Sequence, residues 1–535
     1  MIQRRTAITS VLIQLAYCVV ASSHLAPSSN HNVQREVILR PEDRPPVGTA
    51  QLCRPRHVHL SIGRTQNTTH SSMIVSFSIS PACIDETSAV GAVRVGDVLI
   101  EGNPNEVVSY NASRSDHNHY YSDLYYHIEI DDLQPGRKYS YQCLLLQKEE
   151  PSIQQYLRQD REVLNERIIS RSNISTFHTP PAPGQWPQDR SIKFAVMGDL
   201  ATKPHSRETI GHLDHDNGID CILLAGDISY ANNHHHIWDE WMDMMSAHDF
   251  FSSTPVQIAL GNHDLDTVHR SGPIQVIDGS FLEIGMAYES RFRMPQIQPP
   301  VRELASLNLF RRNGQPNDFL PYEFGNAYYS FTIGPSKHFV LSSYSSFREG
   351  SLQYEWLLSE LRSVDRSATP WLIVMLHCPL YTTFQTHHKE LFTTEAQAIL
   401  EPLFVEYTVN FVVAGHIHAY MRTHPMAFSR RDPRGPVHII QGNGGRQAND
   451  LYYSDAAEEW VDVRDHSMYG YGTLELFNNT HAMWKWVKTG FNAEGEGGIH
   501  DQRFDADLNL YDEIWIINQL YVEEMGVNEN AELAF

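Results

Sequence analysis

Residues 411–418 read FVVAGHIH: four apolar residues, a glycine, then two histidines separated by one isoleucine. A short, largely β-branched apolar run is the pattern of a buried strand. The glycine permits a sharp turn, and the histidines follow at once. Four other runs end in the same manner. IKFAVM (192–197) leads into Gly198-Asp199-Leu200, and CILLA (221–225) into Gly226-Asp227-Ile228-Ser229-Tyr230. VQIAL (256–260) leads into Gly261-Asn262-His263-Asp264, and WLIVML (371–376) into His377-Cys378-Pro379. In the sheets of α/β proteins, functional groups gather beyond the carboxyl ends of the strands. Each piece taken alone reads as an ordinary turn. Together, and in this order, they predict one shared site on an α/β domain.

The side chains gathered this way are carboxylate, carboxamide, phenol and imidazole, with no thiolate. That donor set suits a hydrolytic metal centre. No C-x-x-C spacing exists, which excludes a structural zinc knuckle. Tyr230 stands three residues after Asp227. A phenol has an ordinary pKa of about 10, so a phenolate ligand calls for a strongly Lewis-acidic ion such as Fe(III).

At 535 residues the chain is long enough for two to three domains. It carries 64 Asp+Glu against 41 Lys+Arg, a formal charge of -23. Such a field repels a nucleic-acid backbone, so no nucleic-acid partner is expected. A small anion can still bind where metal ions reverse the local sign. The first residues have the form of a secretory signal over 1–23: Arg4 and Arg5, the apolar ITSVLIQLAYCVV, then Ala21-Ser22-Ser23. The apolar run is shorter than the roughly 20 residues a membrane span needs, and no later segment is long and apolar enough. No stable membrane insertion is expected. A secreted or extracellular location is, with vacuole or lysosome as the other destinations a signal allows. N-x-S/T sequons at Asn67, Asn111, Asn173 and Asn478 fit an exported glycoprotein. Of the six cysteines, Cys18 leaves with the signal. One pair among Cys53, Cys83 and Cys143 is a candidate disulfide, while Cys221 and Cys378 read as small buried residues.

Residues 24–50 are polar and proline-containing. From 55 to 180, HVHLSIG, SMIVSFSIS, AVRVGDVLI, YYSDLYYHIEI and KYSYQCLLL predict an all-β domain. The charged stretch 147–167 reads as an insertion in it, and PPAPGQWPQD (180–189) as a linker. The catalytic domain is expected over 191–490. Within it Leu352, Trp356, Leu357 and Leu361 form a helical core stripe, and EAQAILEPLFVEY reads as a second helix. Residues 491–535 form an extension to which the sequence assigns no role.

The motif order resembles the calcineurin-like metallophosphoesterases, whose usual first motif is D-x-H. Here Asp199-Leu200-Ala201 lacks that histidine and Tyr230 takes its place, an exchange that points to the purple acid phosphatases. That family's motifs, D-x-G, G-D-x-x-Y, G-N-H-[DE], V-x-x-H and G-H-x-H, occur in order at Asp199, Asp227–Tyr230, Asn262–Asp264, Val374–His377 and His416–His418. AYESRFRMP, NAYYSFTIGPSKHFVLSSYSSFREGSLQYEWLLSEL and YGYGTLELFNNTHAMWKWV match as well. DLQPGRKYSYQC with the later STFHTPP resembles the end of a fibronectin type III sandwich, which the plant-type long members carry in front. The implied fold is an α/β metallophosphoesterase β-sandwich flanked by helices, preceded by that domain. One departure is Ala201 where the family has glycine; a positive φ there would strain an alanine.

By that resemblance a first metal, Fe(III), would take Asp199, Asp227, Tyr230 and His418. A second, Zn(II), Mn(II) or Fe(II), would take Asp227, Asn262, His377 and His416. The implied chemistry is two-metal hydrolysis of a phosphate monoester, with a metal-bound hydroxide attacking phosphorus. The leaving alkoxide needs a proton, for which His263 is the candidate. His387 and His388 stand where the family has paired histidines, at a spacing one residue longer, so the sequence leaves open which faces the substrate. Asp264 either orients His263 or caps its turn. His234-His235-His236 reads as a solvated loop. A phosphodiesterase or nucleotide pyrophosphatase could use the same metals, and a non-catalytic adhesion protein would be expected to have lost ligands. Long members often form homodimers, though nothing in the sequence marks an interface.

Overall fold

The computed structural model describes residues 53–522 apart from 84–88, 104–105, 114–118, 149–166, 266–284, 296–318, 321 and 492–511. The expected signal, the stretch 24–50 and nearly all of the expected insertion lie outside the described residues.

The front part is all-β. One sheet pairs Arg56–Gln66, Ser71–Ile79 and Leu124–Leu133. The other runs Ser175–His178, Lys138–Gln147, Ala89–Val95, Val98–Glu101, with Ile168–Arg171 also on Lys138–Gln147. The period-two pattern explains why. Val93, Val95, Cys143 and Leu145 enter the main core with Val75 and Phe77 of the first sheet. Their neighbours Val90, Ala92, Leu144 and Leu146 form a small separate cluster on the opposite face. Of the three candidate cysteines, Cys53 and Cys83 form the disulfide, and Cys143 is a buried free thiol.

The remainder is an α/β arrangement of two mixed sheets with helices. The six-stranded sheet runs Val256–Ile258, Ile219–Leu224, Ile192–Met197, Met468–Leu476, His481–Phe491, Glu513–Ile517. Its first three strands are parallel, with Met197 level with Leu224 and Leu224 level with Ile258. The seven-stranded sheet runs Tyr329–Ile333, Ser336–Val340, Trp371–Met375, Phe411–Ala414, Val437–Gln441, Tyr420–Thr423, Val461–Asp465. Here Trp371–Met375 and Phe411–Ala414 are parallel neighbours. Each motif-bearing set therefore delivers its loops at one end. The sheets meet there, because Gly198 N–H donates to Gln441 O at 2.8 Å.

One expectation is corrected, and two segments are seen to be packed into the structure. The helix Leu352–Ser363 buries Gln353, Leu357 and Leu361, while Leu352 is 58% exposed. Gln353 is drawn inward because its carboxamide bonds both the N–H and the carbonyl of Ser342. The proline-rich stretch 180–189 is packed, with Gly184 N–H bonded to Gly334 O and Trp186 Nε1–H to Asn479 Oδ1. The extension after 491 is partly architectural. Asp512 binds buried Arg422 and Tyr420, and Glu513–Ile517 adds an edge strand to the six-stranded sheet.

The front domain is bonded to the helix His236–Ser246 and to its neighbour Met286–Arg291. Buried Arg291 donates to Tyr110, Tyr120 and Asp239 at 2.7–2.8 Å, and His57 Nε2 lies 2.7 Å from Asp243. The histidine run before that helix is only partly solvated. His234 and His236 are exposed, but His235 is buried against Tyr110 and Tyr120, because the front domain covers it.

Candidate metal centre

The five strand ends converge. Asp199 and Asp227, both buried, follow neighbouring parallel strands and both adopt positive φ (56° and 52°). Ala201, Tyr230, Asn232 and His416 share that backbone region. Such conformations cost non-glycine residues free energy and cluster where side chains must be aimed. Ala201 is thus the strained alanine its departure from the motif implies.

Around Asp199, Tyr230 O–H donates to Oδ1 at 2.6 Å, and His418 Nε2 lies 3.4 Å from the same oxygen and 2.7 Å from the phenol oxygen. Asp199 Oδ2 accepts the His416 backbone N–H at 2.7 Å. Burial and the nearby Asp199 and Asp227 carboxylates push the Tyr230 phenol well above its ordinary pKa. A cation would have to displace its proton.

Asp227 lies between two groups. Its Oδ1 accepts the His263 backbone N–H, and its Oδ2 lies 3.5 Å from His377 Nε2. Burial opposes its ionisation, but His377, His263 and His416 outweigh burial and hold the carboxyl well below the usual range. The same pairing, against burial, raises His377 to about 9. His377 Nδ1–H donates to Ala225 O at 2.7 Å, so Nε2 is left facing Asp227. His416 Nε2–H donates to Glu390 at 2.9 Å, and its Nδ1 lies 3.2 Å from His377 Nε2. Asp227, His377 and His416 thus offer three donor atoms within 4.8 Å of one another. Each imidazole has its outer nitrogen held by an acceptor and its inner nitrogen turned toward the other members of this group, the arrangement that orients metal-binding histidines. Asn262 opens the next loop, where Tyr344 O–H donates to its Oδ1 at 3.3 Å. All seven residues expected from the motifs are brought to this end of the sheets.

The other candidates separate. The His263 ring lies tilted against Tyr230 with ring centroids 4.4 Å apart, and its Nδ1–H donates to Asn232. Its Nε2 is 3.9 Å from Asp227 Oδ2. Asp264 does not touch His263's ring. Its carboxylate accepts from the backbone N–H groups of Asp227, Ile228 and Gly261, clasping two loops together. His387 lies over His416 at 3.9 Å between centroids and donates to Glu390, whereas His388 sits near Tyr453 and donates to Gln385 O.

Sequence reasoning missed Glu390, Asp450, Asn232 and Tyr344. Asp450 accepts the backbone N–H of His418 at 2.7 Å. None belongs to a motif. Glu390, two residues after His388, carried a hint as a carboxylate beside paired histidines, and Tyr344 lies within the stretch 326–361 that matches the family.

The calcineurin-like phosphoesterase family matches residues 192–420, and the iron/zinc purple acid phosphatase-like protein C family matches residues 435–502. Purple acid phosphatase 18 of Arabidopsis thaliana is 34% identical over 311 residues, covering 58% of this chain and 62% of that protein. The phosphoenolpyruvate phosphatase of Allium cepa is 32% identical over 326 residues, covering 58% and 60%. The chain thus spans less than two thirds of the length of these relatives. Among solved structures, the purple acid phosphatase isolated from yellow lupin (Lupinus luteus) seeds shares the fold. Its TM-score is 0.64 at 20% identity, over 86% of this chain and 74% of that one.

Proposed function

The chain belongs to the purple acid phosphatases of the calcineurin-like phosphoesterase family, and on that premise we propose that it is a secreted acid phosphatase hydrolysing phosphate monoesters at a dinuclear Fe(III)–M(II) centre. The observation that carries this reading is the donor geometry. Tyr230, Asp199 and His418 form one mutually bonded group, and Asp227 links it by sequence and space to His377 and His416.

Asp199, Asp227, Tyr230 and His418 would hold the ferric ion, and Asp227, Asn262, His377 and His416 the zinc, manganese or ferrous ion. The metal pair supplies positive charge for the phosphate oxygens and lowers the pKa of water. The protein's own contribution is orientation. Ala225 and Glu390 fix the tautomers of His377 and His416. Asn232 accepts the Nδ1 proton of His263, which leaves Nε2, on the Asp227 side, as the nitrogen that protonates a leaving alkoxide. His387, held by Glu390 beside His416, is better placed than His388 to meet the ester.

The front domain is read as fibronectin type III-like on its sheets of three and five strands. Export is supported by the disulfide between Cys53 and Cys83.

The test is the visible absorption spectrum of the purified, oxidised protein. A charge-transfer band giving a purple or pink colour is expected from a phenolate on Fe(III). A colourless, metal-loaded protein would remove Tyr230 from the ligand set and the purple acid phosphatase chemistry with it.

A further inference from the structure

The strands Met468–Leu476 and His481–Phe491 are joined by the turn Phe477-Asn478-Asn479-Thr480. Beside it lies a groove of about 600 Å³ whose lining includes Phe477, Asn478, His481, Trp515 and Ile517. Trp515 stands on Glu513–Ile517, which among the described residues pairs only with His481–Phe491 and so forms a sheet edge. Phe477 and Trp515 are 39% and 40% exposed, and their ring centroids are 4.8 Å apart. An aromatic pair left open on an edge strand is an association hazard that proteins cover.

The candidate cover is tethered to the groove itself. Asn478 Oδ1 accepts from Thr480 N–H, Thr480 O–H and His481 N–H, each at 2.8 Å. The Asn478 carbonyl accepts from Trp371 Nε1–H at 2.8 Å, and the Asn479 carbonyl from Asn518 at 3.0 Å. The turn is therefore rigid, and the carboxamide oxygen is committed, leaving Nδ2 as the reactive arm. Asn67 has the same oxygen arrangement, with Thr69 and His70 as donors, but does not line this groove.

We propose that Asn478 carries an N-linked glycan whose first N-acetylglucosamine seats on the Phe477–Trp515 pair and caps this sheet edge. This rests on the export reading. In the attachment, Nδ2 loses one proton and bonds to the anomeric carbon of an oligosaccharide, while that carbon's bond to the pyrophosphate of a lipid carrier breaks. The C–H face of the sugar, weakly positive, then meets the negative face of the indole.

The experiment expresses the full chain in a secretory eukaryotic host and combines glycopeptide mass spectrometry with melting of wild type, Asn478→Gln, Trp515→Ala and the double variant. Expected are occupancy at Asn478, a Tm drop of about 2 °C for Asn478→Gln, and a clearly smaller drop when it is added to Trp515→Ala, where only the turn's own hydrogen bonds remain to be lost. Asn67→Gln should instead add independently to Trp515→Ala. Additive losses at Asn478 and Trp515 would overturn the seating, and Phe477→Ala repeats the cycle should Trp515→Ala fail to fold. A bare Asn478 in a chain glycosylated elsewhere overturns this inference alone. A chain without sugar at any sequon overturns the export reading with it.

Discussion

Single residues in this centre are held in backbone conformations they would not choose. Asp199, Asp227, Tyr230 and His416 all have positive φ, and each is also fixed by hydrogen bonds that over-determine it. Ala201, at φ 62°, has no side-chain function to justify the strain. Its N–H bonds Ile228 O at 2.8 Å, so the conformation is imposed by the neighbouring loop. Ala201→Gly should stabilise the protein by about 0.5–1 kcal/mol, the relieved strain exceeding glycine's entropic cost; a lower melting temperature would contradict this. Asp227 faces His377 and the His263 loop and stands three residues before Tyr230, and the proposed function makes it the ligand both metals would share. Asp227→Asn should lower monoester turnover at least about 100-fold and reduce bound metal. Near-normal turnover with both metals retained would argue against a bridging role. His263→Ala should slow turnover roughly 100-fold while leaving metal content unchanged, and loss of iron in that variant would exclude a proton-donor role.

At the scale of elements, the loops after the parallel strands are locked to one another rather than merely adjacent. Asp264 joins the turn after Ile219–Leu224 to that after Val256–Ile258 through three backbone N–H groups. Glu390, at the N-terminus of the helix Leu391–Glu406, bonds His387 in its own loop and His416 in the loop after the neighbouring strand Phe411–Ala414. Burial opposes its charge, but the two imidazoles hold its carboxyl well below the usual range. Glu390→Ala should weaken divalent-metal affinity about 10–100-fold with little loss of the ferric chromophore, measured by metal titration and absorbance. Equal loss of both would place Glu390 in general folding instead.

Across the whole molecule, the all-β front and the two-sheet α/β part share a polar joint. On one side Arg291 is fully buried among Tyr110, Tyr120, Tyr125 and Trp238. On the other, His57 bridges Asp243 of the α/β part and Ser78, which donates to Asp123. Burial raises the Asp123 carboxyl, but Arg56 and Ser78 prevail and its pKa is lowered. A depressed folded value means stability present above the unfolded value of about 4 and lost as pH falls through the folded one. Tm should therefore fall below about pH 4, and Asp123→Asn should flatten that fall while lowering Tm near neutrality. An unchanged acid slope would show that other carboxylates govern it.

What the sequence determined by itself was the set of strand ends and their cargo. Apolar runs such as FVVA and IKFAVM, short and bounded by glycine, fit buried strands, and the polar residues after them then stand at strand ends. The same local logic reached the all-β front, whose alternation needs no knowledge of its partner. Local pattern failed where the deciding contact is distant in the chain. His235 looks like part of a polar loop until Tyr110 and Tyr120, over a hundred residues earlier, cover it. Glu390 and Asp450 belong to no motif because they act on His416 and His418 through space. Leu352 and Gln353 exchange roles because a carboxamide found both backbone groups of one residue, Ser342, to bond. Periodicity and turn chemistry are properties of neighbours along the chain. The partner of a buried polar group is chosen only when the sheets close, and the tertiary structure alone made that choice.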